Sequence, residues 1–511
     1  MIKRIASMLT VVSLIFGTSA ALAADYSYDM VINEDKVVRT IPREMYGINC
    51  EWSVGINKDY FDVVNGDIIQ APTFKEAWQD TMVFARMAGG ASQAFKWKDA
   101  LGDFKSRSTQ KIWSMSDKVY LGIIEWLKAI QSVTPDIKIA YVVNFNTDTL
   151  ENLADVVEFL IGDGTVNYNG GENWAEVRKK LGIEKPVNIF TWELGNEMDL
   201  EYWNADQYVE YCKKVIPIIR SIDPNANITA HVSTAAWSGG QSTKGAAGTP
   251  WEDWHRKVLK ECGDLIDNVS FHYYYPTGYV PRADGPLDRL EKDIVEMTGS
   301  DRIKIYMSEQ APAPNTQTYK TENAYDYCLP HTIWGATSLA EFYCRAMLRN
   351  SLIATTCHSI DSATWTLCYR NETGGHSLSA TGETVKSFAK YGVGDMLESN
   401  LDTFGKEQMG SVAGAAIRDQ NGNINILFTN RSETEAANVN FKFQEGSYKV
   451  KMVRKIHGDV KSADNWYRAG SQWTYNNPDR VEITETKTDT ELTSYSFDPL
   501  SVYVLCLEKM N

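Results

Sequence analysis

A chain of 511 residues with 66 acidic and 51 basic side chains, and so a net charge of -15 at pH 7, disfavours nucleic acid and anionic membrane surfaces as partners, since both attract cations. A neutral substrate such as a sugar fits better, and 15 tryptophans and 26 tyrosines supply aromatic faces that pack against the CH faces of sugar rings. The length favours a large domain plus a smaller one over a single typical domain.

Residues 1–23 read as an export leader. Lys3 and Arg4 form a positive start, Ile5 to Phe16 an apolar stretch, and Ala21-Leu22-Ala23 a small-residue cleavage site, so the mature chain is expected to begin near Ala24. No cysteine stands beside that site, so a lipid anchor is not indicated. The apolar stretch is too short for a membrane span, and no later run reaches the roughly 18 apolar residues that one needs. The expectation is an exported protein, periplasmic or extracellular, with no membrane partner.

Residues 24–40, with Tyr26, Tyr28, Met30, Val31 and Ile32, are expected to add a strand to a β-sandwich formed later in the chain. From 41 to 394, short β-rich runs alternate with longer helical patterns, the signature of repeated βα units. The strand candidates are Met45 to Cys50, Val83 to Met87, Ile137 to Asn144, Val187 to Leu194, Ile228 to Val232, Val269 to Tyr273, Ile303 to Met307 and Ile360 to Thr366. Eight strands close a (β/α)8 barrel, the TIM barrel of the α/β class. Between them, Ser116 can cap a helix carrying Val119, Ile123, Trp126, Leu127 and Ile130 on one face. Asn204 with Gln207 reads as a capping box for a helix through Ile219, and a further helix is expected over Ala336 to Leu352. Residues 395–511 change to alternation, as in Asn423-Ile424-Asn425-Ile426 after the turn signal Asn421-Gly422, and predict an antiparallel β-sandwich. The eight cysteines have no C-x-x-C or ligand-like spacing, so no zinc site is expected and most read as buried free thiols.

In such a barrel the active site lies at the carboxyl ends of the strands. Those ends carry Glu51 after the first strand, Arg86 in the second, Asn144 and Asn146 after the third, Asn196 and Glu197 after the fourth, His272 and Tyr274 at the sixth, Glu309 at the seventh and Trp365 at the eighth. Two carboxylates on separate strand ends suggest cleavage of a glycosidic bond. Glu197 is the candidate general acid/base and Glu309 the candidate nucleophile. A separation of about 5 Å between them means retention of configuration, and about 6.5 to 9.5 Å inversion. Asn196, Glu51 and Asn144 are placed to bind sugar hydroxyls, His272 or Tyr274 to hold Glu309 ionised, Arg86 to stabilise the carboxylates, and Trp365 to floor the subsite. The segments Ser238 to Gly248 and Gln310 to Pro330 are long enough to wall off a pocket.

These residues resemble the retaining glycosidases that carry Asn-Glu on the fourth strand of a (β/α)8 barrel, and among them glycoside hydrolase family 51, the α-L-arabinofuranosidases. Met45-Tyr46-Gly47-Ile48-Asn49-Cys50-Glu51 looks like that family's opening strand, and Arg86-Met87-Ala88-Gly89-Gly90 followed by Phe95-Lys96-Trp97-Lys98-Asp99 like its second unit. Val143-Asn144-Phe145-Asn146-Thr147 resembles the third, and Trp192-Glu193-Leu194-Gly195-Asn196-Glu197-Met198-Asp199 is the closest match. His272-Tyr273-Tyr274 and Asp498-Pro499-Leu500-Ser501-Val502-Tyr503-Val504-Leu505 are similar to its sixth strand and last sandwich strand. The resemblance implies Glu197 as acid/base, Glu309 as nucleophile, Glu51, Asn196 and Tyr274 as substrate or support contacts, and no cofactor or metal.

Three departures touch the substrate. Ala91 stands where the family commonly has asparagine, Ser308-Glu309-Gln310 replaces Asp-Glu-Trp, and Ile48 replaces a frequent histidine. The leading expectation is an exported, exo-acting retaining α-L-arabinofuranosidase on plant-type polysaccharide or oligosaccharide. A β-xylosidase, β-glucuronidase or endo-glucanase of the same mechanism is the alternative, and a non-catalytic carbohydrate-binding protein the alternative of another class. The oligomeric state stays open, a homo-oligomer included.

Overall fold

The structure, a computed structural model, describes residues 26–51, 61–64, 67–70, 73–112, 115–119, 121–201, 203–232, 251–277, 280–314, 324–360, 364–371, 373–401, 412–465, 467–469, 472–474 and 479–510. The expected leader at residues 1–23, Ser238 to Gly248 and the middle of the Gln310 to Pro330 segment lie outside the described residues.

After a first strand β1 (Tyr26–Ile41), eight parallel strands close into a barrel. They are β2 (Gly47–Glu51), β3 (Phe84–Ala88), β4 (Lys138–Val142), β5 (Ile189–Leu194), β6 (Ile228–His231), β7 (Asn268–Pro276), β8 (Lys304–Ala313) and β9 (Leu352–His358). β9 returns to β2, pairing Cys357 with Ile48, which closes the ring. Helices α1 (Ile123–Val133), α2 (Leu150–Ile161), α3 (Ala205–Ile222), α4 (Trp251–Cys262), α5 (Asp284–Thr298), α6 (Ile333–Ala346) and α7 (Ala380–Tyr391) surround it. The strands read as nearly continuous apolar runs because helices cover their outer side and side chains fill the interior. α3 begins at a reciprocal cap: Gln207 N donates to Asn204 Oδ1 at 2.9 Å and Asn204 N to Gln207 Oε1 at 3.1 Å. All eight cysteines are free thiols, seven of them buried.

Three expected elements move. The eighth barrel strand is Leu352–His358, not Ile360 to Thr366. Two threonines hide its apolar character, but Thr355 donates to the Met45 carbonyl at 2.8 Å and Thr356 to the Ser308 carbonyl, so both hydroxyls are satisfied inside. The preceding helix accordingly stops at Ala346 instead of reaching Leu352. Ser116 does not cap α1; it lies in a hairpin of Thr109–Ile112 with Met115–Lys118. α1 starts after Gly122, whose N–H donates to Glu125 Oε2 at 2.8 Å.

The second domain is one nine-stranded, mostly antiparallel sheet. Its further strands are β10 (Gly394–Leu401), β11 (Val412–Arg418), β12 (Ile424–Asn430), β13 (Ala437–Phe443), β14 (Tyr448–His457), β15 (Glu482–Glu491), β16 (Ser494–Phe497) and β17 (Ser501–Lys509). The order is β15-β14-β17-β12-β11-β10-β1-β13-β16. β1 is long enough to pair antiparallel with β10 and parallel with β13. The sheet thus folds over itself into two layers, and Phe497 of β16 stacks on Phe428 of β12 with ring centres 3.9 Å apart. Alternation along β12 and β17 sends Ile426, Phe428, Tyr503 and Leu505 into that core, and Leu427, Val502 and Val504 into the core shared with the barrel.

A buried ion pair also joins the two parts. His331 Nδ1 lies 2.7 Å from Asp464 Oδ2, and both side chains are fully buried. Burial disfavours the imidazolium, but Asp464 outweighs it and holds the ring at about 9. Burial also pushes the Asp464 carboxyl up, opposed by His331 and by the N–H groups of Asn465 and Ala380. Since the folded value lies above the unfolded histidine value of about 6.5, the stabilisation is complete below about pH 6.5 and is lost as pH rises through about 9. The melting temperature is therefore expected to fall between pH 6.5 and 9.5, and His331→Leu to flatten that limb. Equal slopes in the two proteins would refute the assignment.

Candidate active site

β5 delivers one carboxylate from within the strand and another just past its end. Glu193 points into the barrel from within the strand and is fully buried, while Glu197 stands just beyond the strand end. Gly195 makes the exit possible. Its φ is +83°, and a Cβ there would lie 2.5 Å from Met198 Sδ. Glu197 itself has φ +46°, a left-handed conformation costing a non-glycine residue of order 1 kcal/mol, which the surrounding contacts must hold. Those contacts are His272 Nδ1, 2.8 Å from Glu197 Oε1, and the neighbouring Asn196, whose Oδ1 accepts from Arg86 Nη2 at 2.7 Å.

Arg86 organises the floor. Nε and Nη2 donate to Glu193 at 2.7 and 3.1 Å, Nη1 to Glu309 Oε1 at 2.7 Å and to Asn49 Oδ1 at 3.3 Å, and Nη2 also to Asn196. All five guanidinium N–H groups are thereby used. Burial alone would lower its proton affinity, but Glu193 and Glu309 raise it far beyond the ordinary arginine range. One carboxylate therefore compensates the cation and the other is held for chemistry.

Glu309, on β8, is 5% exposed. Its Oε2 accepts from Tyr274 OH at 2.6 Å, and its Oε1 from Arg86 and, at 3.3 Å, from Asn49 Nδ2. His272 Nδ1 lies 3.3 Å from Oε2. Burial favours the neutral acid, but the positive charges of His272 and Arg86, with the Tyr274 hydrogen bond, outweigh it and hold Glu309 well below the usual carboxylate range. His272 moves the opposite way: burial disfavours its charge, while Glu309 and Glu197 draw it above the ordinary histidine range. One oxygen each of Glu197 and Glu309 and a nitrogen of His272 lie within 4.8 Å of one another. Such a triad can ligate a metal, but the Arg86 guanidinium already occupies Glu309 and opposes a second cation there.

The structure brings Glu197, Glu309, Asn196, Arg86, His272 and Tyr274 together. Trp365 follows the turn beyond β9 rather than lying in a strand, yet its ring centre is 5.0 Å from that of Tyr274, with Nε1 donating to the Pro312 carbonyl at 2.8 Å. Asn144 is bonded within its own turn. Its Oδ1 accepts from the N–H groups of Asn146 and Thr147, and its Nδ2 donates to Thr147 Oγ1 and the Phe95 carbonyl. Those bonds use both the oxygen and the nitrogen of its amide to close the turn. Glu51 ends β2, but its side chain lies outside the described residues. Sequence reasoning missed Asn49, Glu193 and His358, whose Nδ1 lies 2.8 Å from Asn49 Nδ2. The signal was available for Glu193, a charged residue inside an otherwise apolar strand. A cleft of about 890 Å³ lined by Arg43, Asp80, Asp395 and Arg418 lies at the amino ends of the strands and touches none of the candidate residues.

A closed (β/α)8 barrel with glutamates at the ends of its fourth and seventh strands, followed by a mostly antiparallel β domain, is an architecture that glycoside hydrolases use. Among these enzymes, the chain is similar to the family 51 α-L-arabinofuranosidases. Residues 81–278 match the family model for the α-L-arabinofuranosidase 1 domain. An intracellular exo-α-(1→5)-L-arabinofuranosidase 1 of Bacillus subtilis is 26% identical over 193 residues, 37% of this chain and 35% of that protein. One from Acetivibrio thermocellus is 25% identical over 262 residues, 48% of either chain. The chain thus aligns with less than half the length of these curated relatives. Among solved structures, the α-L-arabinofuranosidase of Thermotoga maritima in complex with arabinose superposes with a TM-score of 0.74 at 18% identity, over 94% of this chain and all of that one. A family 51 enzyme of Bifidobacterium longum gives 0.74 at 16% identity, over 94% and 99%. These two share the fold.

Proposed function

We propose that this protein is an exo-acting, retaining α-L-arabinofuranosidase. The observation that carries the reading is the pair Glu197 and Glu309, with oxygens within 4.8 Å, nearer the roughly 5 Å of retaining glycosidases than the 6.5 to 9.5 Å that inversion needs to admit a water. Glu309, kept ionised by Arg86, Tyr274 and His272, attacks the anomeric carbon and forms a glycosyl ester. Glu197 gives its proton to the departing oxygen. In the second step Glu197 takes a proton from water, the water oxygen attacks the same carbon, the ester bond breaks, and the sugar leaves with its original configuration. Tyr274 and Trp365 offer an aromatic wall for the sugar ring. The names of the relatives support the arabinofuranosyl and exo parts of the reading but are those of intracellular enzymes, so export rests on the pattern of residues 1–23 alone.

Aryl glycosides that differ only in the sugar test it. The α-L-arabinofuranoside is expected to turn over, and the β-xyloside, β-glucuronide and cello-oligosaccharide to be poor. An inert arabinofuranoside beside a cleaved pyranoside would replace the sugar while leaving the mechanism. In the same preparation, the exported protein should have a mature mass that begins near Ala24; an intact leader would count against export.

A further inference from the structure

Beyond the groups that face the substrate, the barrel interior holds a second polar cluster directly behind His272. His231 of β6 and Ser270 of β7 are register partners in the parallel ladder, so their side chains point the same way. His272, two residues further along β7, points that way too. All three are fully buried. His231 Nε2 lies 3.0 Å from Asp199 Oδ1, itself buried, and the His231 ring stands edge-on to that of His272 with centres 5.9 Å apart. Among the described residues, His231 Nδ1, Ser270 Oγ and His272 Nε2 have no hydrogen-bond partner.

Three buried polar atoms on two paired strands, without partners among the described residues, are costly unless a water serves them, and a buried water typically makes about three hydrogen bonds. The donor inventory is consistent. His231 donates from Nε2 to the Asp199 carboxylate, which leaves Nδ1 as an acceptor. His272 Nδ1 faces two carboxylates and donates, so a protonated ring offers Nε2–H as well. One water can accept from His272 Nε2–H and from the Ser270 hydroxyl and donate to His231 Nδ1, which gives each of the three groups a partner.

We propose that His231, Ser270 and His272 bind a single buried water, and that through it the Asp199–His231 pair keeps His272 oriented and protonated between Glu197 and Glu309. His231, Asp199 and Ser270 are then positioning residues that act on the proposed glycosidase site through His272. The charged and titratable groups around His272 are Glu197, Glu309, Arg86, His358 and His231, with Asp199 behind the last. Of these, the two glutamates favour its charge, Arg86 opposes it, and the water supplies the acceptor that the charged ring needs.

Two variants test this. His231→Phe keeps a ring but removes the acceptor, and Ser270→Ala removes one partner with little change of volume and so guards against a failure to fold. With the best substrate from the glycoside panel, both are expected to move the alkaline limb of the kcat/KM profile toward neutral pH. At pH 8 His231→Phe should lose on the order of tenfold more activity than at pH 5.5, as expected for a lost hydrogen bond to a charged group. An equal loss at every pH would mean that His231 is only structural and would overturn the proposal. The imidazole 15N shifts of His272, followed by pH titration, give a readout that does not depend on the glycosidase reading: the ring should lose its proton at lower pH in both variants. Unchanged titration would overturn the proposal even if glycosidase activity is found, whereas a shifted titration with no glycoside cleaved would uphold it and refute the function.

Discussion

Glu309→Gln is expected to lower kcat/KM by about 10⁴-fold or more while the protein stays folded. The size follows from removing the attacking group itself, since a residue that forms the covalent bond cannot be replaced by binding energy alone. The amide is nearly isosteric, and its oxygen can still accept from Tyr274, which donates at 2.6 Å to the native carboxylate. Arg86 also keeps its two bonds to Glu193, so the floor retains one compensating carboxylate. The measurement is kcat/KM beside the melting temperature. Activity within tenfold of the native enzyme would remove Glu309 from the mechanism, and a pure carbohydrate binder would show no turnover in either protein.

Glu197→Ala should separate the two chemical steps. Glycosides whose leaving group needs no proton should still form the glycosyl ester, then stall, giving a burst of one equivalent followed by slow turnover. Glycosides with poorer leaving groups should lose on the order of 10² to 10⁴-fold, the contribution of a positioned acid. Azide, small and needing no general base, should fill the space left by the side chain and restore turnover as a glycosyl azide of retained configuration. The configuration decides the assignment. An azide product of inverted configuration would mean that Glu197, not Glu309, is the nucleophile.

Much of the site was readable because its residues come from strand ends, where period and position are both local signals. Trp192 to Asp199 shows an apolar strand, a glycine at the exit and a carboxylate beyond it, and each feature has a local physical cause. Asn144 shows the limit of that reasoning. An asparagine after a strand satisfies a turn as readily as it binds a ligand, and only the positions of Phe95, Asn146 and Thr147 show that Asn144 does the first. The eighth strand was misplaced for a related reason: Thr355 and Thr356 look polar in sequence, and their partners, the carbonyls of Met45 and Ser308, lie far away along the chain. Asn49 and His358 were missed because their importance comes wholly from contacts across the barrel.

Taken by itself, the sequence determined the alternating βα order, the change to β alternation near residue 395, and the two glutamates as the groups most able to do chemistry. These follow from hydrophobic periodicity and from residue type at strand ends, which are properties of neighbouring residues. Only the tertiary structure decided that Arg86 serves two carboxylates at once, that Glu193 compensates it while Glu309 stays available, and that His272 stands between Glu309 and Glu197 with His231 behind it. Such assignments depend on distances between strands that are tens to hundreds of residues apart, and electrostatic and hydrogen-bond energies fall off within a few ångströms of the right geometry.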